Sequence, residues 1–199
     1  MKDYRRAGIA ESVEVTEQVA VHRVQAGDRE AYAVLVKLHA GAAHRAAILL
    51  GAGADAEDVV QTAFVKAFHA LPDFRAGAAF RPWLLRIVSN EAKNAVRARA
   101  RRRAATERLA GLGDTTEPTD PLAAALSDER QRELLDAVRR LPEPQRRVIV
   151  CRYLLDLDEK ETAAVLGWPA GTVKSRLHRA LRRLRGQVER SIEEAEHEH

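Results

Sequence analysis

Apolar residues recur along this chain at three- and four-residue intervals and almost nowhere in strict alternation, a periodicity that predicts helices rather than strands. Ala, Leu, Arg and Glu dominate, and all four are favourable in helices, so the expected fold is all-α. A first helix is predicted from Glu17 to His22 and beyond. After Ala26-Gly27-Asp28 a second runs from Arg29 through Leu38, with Tyr32, Leu35 and Val36 as core candidates, and another covers His44 to Leu50. A turn at 51–54 leads into DAEDVVQTAFVKAFHAL, where Asp55 is placed to cap and Val60, Phe64, Ala67, Phe68 and Leu71 form one apolar stripe. The other side carries Asp58, Gln61, Thr62 and Lys66, a polar set that spacing alone reads either as solvated surface or as a docking face for a partner helix. Pro72 ends this helix, and the loop DFRAGAAFRP leads into a long basic helix, WLLRIVSNEAKNAVRARARRR, beginning near Arg81 or Pro82. There Trp83, Leu84, Ile87 and Val88 point inward, with Trp83 read as core rather than as a base-stacking ring. Arg86, Asn90, Lys93, Asn94 and Arg97 are left for solvent or phosphates.

The pattern breaks between Ala104 and Ser127, where Gly111, Gly113, Pro118 and Pro121 stand among Thr and Asp residues in the composition of a linker. Its length of ~24 residues spans up to ~80 Å extended and averages ~27 Å as a flexible coil, a reach that covers sites ~34 to 70 Å apart, one to two turns of B-DNA. Two amphipathic helices follow, ERQRELLDAVRRL and PEPQRRVIVCRYLLD, separated at Pro142 and Pro144. The last segment reads as a helix-turn-helix. Asp158 and Glu161 stand in capping-box relation, Gly167 and Pro169 mark the turn, and Ala163, Leu166, Val173, Leu177, Leu181 and Leu184 fall at helical spacings facing inward. The outward face of the second helix then carries Thr172, Lys174, Ser175, Arg176, Arg179, Arg182 and Arg183, whose early members could reach base edges. A solvated basic face on a structural helix is the plainer reading, and it does not account for the coincidence of cap, turn and basic face.

Charge sharpens this picture by its placement rather than its sum. The net charge is only +4, with a pI near 9.5, yet Arg81 to Arg103 holds eight Lys or Arg against Glu91 alone, and Lys174 to Arg190 holds seven against Glu189. Two basic helices point to nucleic acid. The single cysteine, Cys151, sits on the apolar side of a helix with Val148, Leu154 and Leu155 and reads as a buried structural thiol. The start MKDYRRAGIAESVEVT lacks an apolar signal core and no run approaches the ~18 apolar residues of a membrane span, so a cytoplasmic protein is expected. No paired catalytic motif accompanies Cys151, His39 and His44 lack acidic partners nearby in sequence, and there is no Gly-rich phosphate loop. His197 and His199 lie in an acidic tail that frays too readily to hold a metal. Neither an enzyme, a metal site nor a cofactor is expected. A stand-alone dimeric regulator with a receiver domain is the other class to weigh, but the first half shows no βαβ alternation and has a basic helix of its own.

Three stretches in this order resemble the extracytoplasmic-function sigma factors, the smallest class of sigma-70 family specificity subunits of bacterial RNA polymerase. DAEDVVQTAF is similar to the family's polymerase-docking helix, FRPWLLRIVSNEAKN to its promoter-melting segment, and LPEPQRRVIVCRYLLDLDEKETAAVLGWPAGTVKSRLHRALRRLR to its carboxyl-terminal domain. The resemblance covers nearly the whole chain and implies two small helical domains joined by a flexible linker: an extension at 1–16, region 2 at 17–103, a linker at 104–127 threading toward the active-site channel, region 4 at 128–187 as a four-helix domain with the helix-turn-helix, and an acidic tail at 188–199.

The resemblance also implies partners. Core RNA polymerase would be met at its β′ clamp through Asp58, Gln61 and Thr62 and at its β flap by region 4, and an anti-sigma factor would hold the protein inactive. The −10 promoter element would be contacted by Lys66, Phe74, Arg75, Asn90, Lys93, Asn94 and Arg97, with Phe74 and the loop 75–79 forming a pocket for a flipped non-template base beside Lys66 and Asn90. The −35 element would be read by Thr172, Lys174, Ser175, Arg176, Arg179 and Arg183, with Arg176 and Arg179 on bases or backbone and Lys174 with Arg182 or Arg183 on phosphates. Flipping a base costs a few kcal/mol, which capture in the pocket offsets. With aromatic residues at 5% of the chain, opening is expected only at promoters that already open easily. Pro169 stands where many relatives carry a capping Ser, so Gly171 and the backbone must start the recognition helix.

Overall fold

The computed structural model describes residues 16–75, 77–110, 134 and 136–197, with side chains described at 16–75, 77–106, 134 and 136–187. Every regular element among them is helical. The first half comprises α1 (16–25), α2 (Tyr32–Leu49), α3 (Ala56–Ala70) and α4 (Phe80–Ala110). In the second half, helical residues at 136–139 (α5) precede α6 (Glu143–Ile149), a π turn over Val150–Leu154, α7 (Glu159–Leu166) and α8 (Ala170–His197).

The two helices expected at 29–38 and 44–50 are one. A short 3-10 turn at Arg29–Ala31, capped by the Asp28 carboxylate, opens directly into α2, which passes through Gly41 without a break. Glycine inside a helix costs about 1 kcal/mol, and tertiary packing overrides it here: Ala43, Ala46 and Ala47 are wholly buried, their small side chains letting α3 and α4 approach closely. The stripe of α3 is also rotated by a residue from its expected position. Val59 and Ala63 join Phe64, Ala67 and Leu71 in the core, while Val60 and Phe68 are half-buried. Asp55 makes no side-chain cap to α3. Its carboxylate pairs instead with Arg99 of α4 at 2.7 Å, and the same guanidinium donates to the carbonyl of Ala52. An ion pair whose guanidinium also serves a backbone carbonyl outcompetes a cap.

In the second half the capping box of α7 is present in both directions: Asp158 accepts from the Glu161 amide at 2.7 Å, and the Glu161 carboxylate accepts from the Asp158 amide at 2.8 Å. Gly167 closes α7 at φ 66°, a left-handed conformation that glycine adopts without the Cβ penalty. Two leucines expected inward point out. Leu181 is 42% exposed because the line that meets the core runs Val173, Ala180, Leu184, with the small Ala180 at the closest approach. Leu154 is 40% exposed because the π turn inserts an extra residue and rotates the segment's end. Cys151 is fully buried, and burial pushes its thiol up to about 12, opposed in part by the Arg147 charge.

The halves do not stand apart. α4 packs along α7, and the buried apolar residues of both halves form one cluster. Among the described residues, two polar bonds cross the seam: Arg147 of α6 donates to the Ser89 hydroxyl of α4 at 2.6 Å, and Arg81 donates to the Leu155 carbonyl at 2.6 Å.

Candidate nucleic-acid interface

The loop between α3 and α4 is held at both ends by α1. Gln25 donates its side-chain amide to the carbonyls of Leu71 and Phe74, at 3.1 and 2.9 Å. At the other end the Glu17 carboxylate accepts from the Phe80 amide at 3.0 Å, capping the positive end of α4, and its second oxygen lies 2.7 Å from His39 Nε2. Glu17 and His39 are both buried. Sequence periodicity missed all three residues, since an acid, an amide and a histidine on helices read as surface until the partner element is known.

Within this grip Phe74 is only 7% exposed, its ring 5.9 Å from Phe80 and 4.8 Å from Trp83, so the loop rests on an aromatic floor. Arg75 is exposed above it. A groove of about 640 Å³ opens here, but its far wall is the other half of the protein: Asp158, Lys160, Glu161 and Ala164 of the α7 start face Phe74, Arg75, Gly77, Ala78 and Arg86. Asn90, Asn94 and Arg97 are exposed along α4 and Lys93 is half-buried, while Lys66 forms an ion pair with Glu91 at 2.7 Å.

Asp58, Gln61 and Thr62 are exposed on α3. Asp58 and Thr62 share a second groove with Glu91, Asn94, Arg101 and Arg102. This face lies open.

On α8, Lys174, Ser175, Arg179, Arg182 and Arg183 are exposed and Thr172 is half-buried. The start of the helix is organised by its backbone: the carbonyl of Pro169 accepts from the amides of Thr172 and Val173, at 2.9 and 3.1 Å. Ser175 donates to the Thr172 carbonyl and Arg179 to the Ser175 carbonyl, each at 3.2 Å. Arg176 is placed differently, half-buried with its guanidinium carbon 4.0 Å from the centroid of the Trp168 ring. No three His, Cys, Asp or Glu among the described residues gather as metal ligands, and no helix among them is long and apolar enough to cross a membrane.

Residues 35–102 match the family model for sigma-70 region 2, and residues 131–184 match that for sigma-70, region 4. The chain is 37% identical over 188 residues to the ECF RNA polymerase sigma-E factor of Escherichia coli (strain K12), covering 89% of this chain and 97% of that one. It belongs to the extracytoplasmic-function sigma factors. The sigma-E factor of Haemophilus influenzae is 33% identical over 183 residues, with 88% and 97% covered. Among solved structures, CnrH in complex with the cytosolic domain of CnrY superposes with a TM-score of 0.64 at 30% identity, covering 87% of this chain and 97% of that one. The sigma factor RpoE in complex with the anti-sigma factor NepR from Bartonella quintana also gives 0.64, at 27% identity and 77% and 94% coverage. This sigma factor is thus a non-catalytic subunit that binds core RNA polymerase and promoter DNA and directs promoter-specific initiation. A match of the first half to region 2 sets aside the stand-alone regulator.

Proposed function

We propose that promoter recognition is divided between the halves, joined by a linker expected over 104–127 whose first residues, as far as Ala110, continue α4, with 17–103 recognising the −10 element and holding the opened strand and 128–187 reading the −35 element. The observation that carries this is the loop before α4, clamped by Gln25 and Glu17 over the aromatic floor of Phe74, Phe80 and Trp83. A pre-formed loop of this kind lowers the ordering cost of capturing a flipped base. Arg75, Asn90, Asn94 and Arg97 supply donors and charge for the strand beyond it, and Lys93 and Lys66 flank them. The exposed Asp58, Gln61 and Thr62 face docks on the β′ clamp, region 4 meets the β flap, and the protein works in the cytoplasm. An anti-sigma protein, of the kind that RpoE binds in its complex with the anti-sigma factor NepR, holds the sigma factor inactive.

The seam between the halves belongs to this function. The groove over the loop is walled on its far side by Asp158, Lys160, Glu161 and Ala164 of α7, which narrow the room for a strand. Region 4 therefore withdraws from α4 before the −10 strand is bound, breaking the Ser89 and Arg81 bonds. Run-off transcription with purified core polymerase and promoter fragments tests the whole reading. Initiation dependent on this protein and lost in the Asp58→Ala, Gln61→Ala double variant supports it; initiation unaffected by that variant refutes the docking face. Unchanged open-complex formation by Phe74→Ala on a cognate promoter refutes base capture by the loop.

A further inference from the structure

The recognition helix carries several cations, and among the described residues only one has an aromatic ring beneath it. Trp168 sits between Gly167, in its left-handed conformation, and Pro169, whose ring fixes its own φ. The Trp168 amide donates to the Ala163 carbonyl at 3.0 Å. With its backbone pinned on both sides, the indole has little choice of direction, and it is half-buried against the core. The Arg176 guanidinium lies over that ring at 4.0 Å from the centroid. Arg147 approaches the same ring at 5.8 Å, and its buried charge discourages Arg176 from swinging inward.

A guanidinium stacked on an indole uses its face and leaves its in-plane N–H donors free. No acceptor among the described residues takes a hydrogen bond from Arg176, whereas Arg179 is already donating to Ser175. Arg176 is therefore an oriented, unspent fork on the second turn of the helix that enters DNA. Such a fork fits the paired O6 and N7 acceptors of guanine in the major groove.

We propose that Trp168 is a positioning residue for −35 recognition: by stacking under Arg176 it holds the guanidinium edge toward one guanine, and so sets sequence preference at one base pair. This rests on the reading of the second half as the −35 module. Lys174, Arg179 and Arg183, lacking a ring beneath them, serve the phosphates and carry little preference.

The test uses holoenzyme reconstituted from core polymerase and the full chain, on a promoter selected by the wild-type holoenzyme from a library randomised across the upstream element. Affinity is measured for that promoter and for each single base-pair change, with Trp168→Ala, Trp168→Phe, Arg176→Lys and the doubles. Trp168→Ala is expected to lower discrimination at one G·C pair roughly fivefold, Trp168→Phe to lower it less, and neither to matter once Arg176 is Lys. The dependence of binding on salt stays unchanged. Equal losses from Trp168→Ala in the wild-type and Arg176→Lys backgrounds overturn the proposal in favour of a purely structural tryptophan. A salt slope reduced by about one assigns Arg176 to a phosphate and also overturns it. Should Trp168→Ala fail to fold, Trp168→Phe alone decides, since a smaller ring must still shift the one base pair. A wild-type holoenzyme that initiates yet selects no upstream sequence refutes the −35 reading itself, and the proposal with it.

Discussion

Replacing Ser89 with alanine removes one hydroxyl from the seam between the halves and leaves every other contact in place. In the closed form Arg147 is 7% exposed and its guanidinium donates to that hydroxyl at 2.6 Å, while its other partner, Glu143, stands 3.6 Å away at the surface. Burial pulls the Arg147 pKa below its ordinary value, with Glu143 opposing, a sign that this charge is poorly solvated where it sits. A hydrogen bond to a charged group contributes about 1.5–3 kcal/mol. Once the halves separate, water replaces Ser89, so the loss falls on the closed form alone. The closed-to-open ratio should drop roughly 10- to 150-fold. On the proposed reading, in which the groove over the Phe74 loop takes the strand only when open, apparent affinity for the −10 strand rises by the same factor as long as the closed form dominates. Fluorescence anisotropy with a labelled single-stranded non-template −10 oligonucleotide and the full chain measures this, with small-angle scattering to follow compactness. An unchanged affinity for Ser89→Ala, in a protein whose wild type scatters as compact, would refute the latch.

Other outcomes follow from the same contacts. Glu17→Ala deprives the buried Phe80 amide of its acceptor and should cost about 1.5–3 kcal/mol, read as a fall of several degrees in Tm together with slower open-complex formation. A normal Tm would show that the cap contributes nothing. Asp158→Ala removes half of the capping box and should destabilise the helix-turn-helix by about 1 kcal/mol in urea denaturation, whereas Asp158→Asn should retain most of that. The Cys151 thiol, held neutral up to about 12 by burial, should resist alkylation at pH 8 until the protein is unfolded. Its folded pKa lies above its unfolded value, so its contribution to stability is full below pH ~9 and declines as pH rises toward 12, by up to about 1.4 kcal/mol per pH unit. Cys151→Ser should flatten that decline.

Local signals were the readable part of this chain. The Asp158–Glu161 capping box, the Gly167 turn and the Val173 line of α8 are decided within one or two turns of backbone, so residue order alone displays them. The clustering of charge on α4 and α8 is equally a property of order. Where an outcome depended on a second element, the pattern misled: Asp55 turns from its helix cap to Arg99, Gly41 fails to interrupt α2, and Leu181 yields its inward place to Ala180. The contacts most distant in sequence were invisible for the same reason. Nothing local marks Glu17 as the cap of a helix 63 residues on, Ser89 as the partner of Arg147, or Trp168 as the platform for Arg176 rather than one more core ring. Residue order alone displays that the chain is helical, where its basic helices lie and that its second half carries a helix-turn-helix, because hydrophobic period and capping act over a few residues. How the loop before α4 is clamped, which arginine lies over a ring and how the two halves close on each other emerge from packing. Those are choices among partners brought together by packing, and a buried polar group takes whichever partner the packing puts within hydrogen-bonding reach.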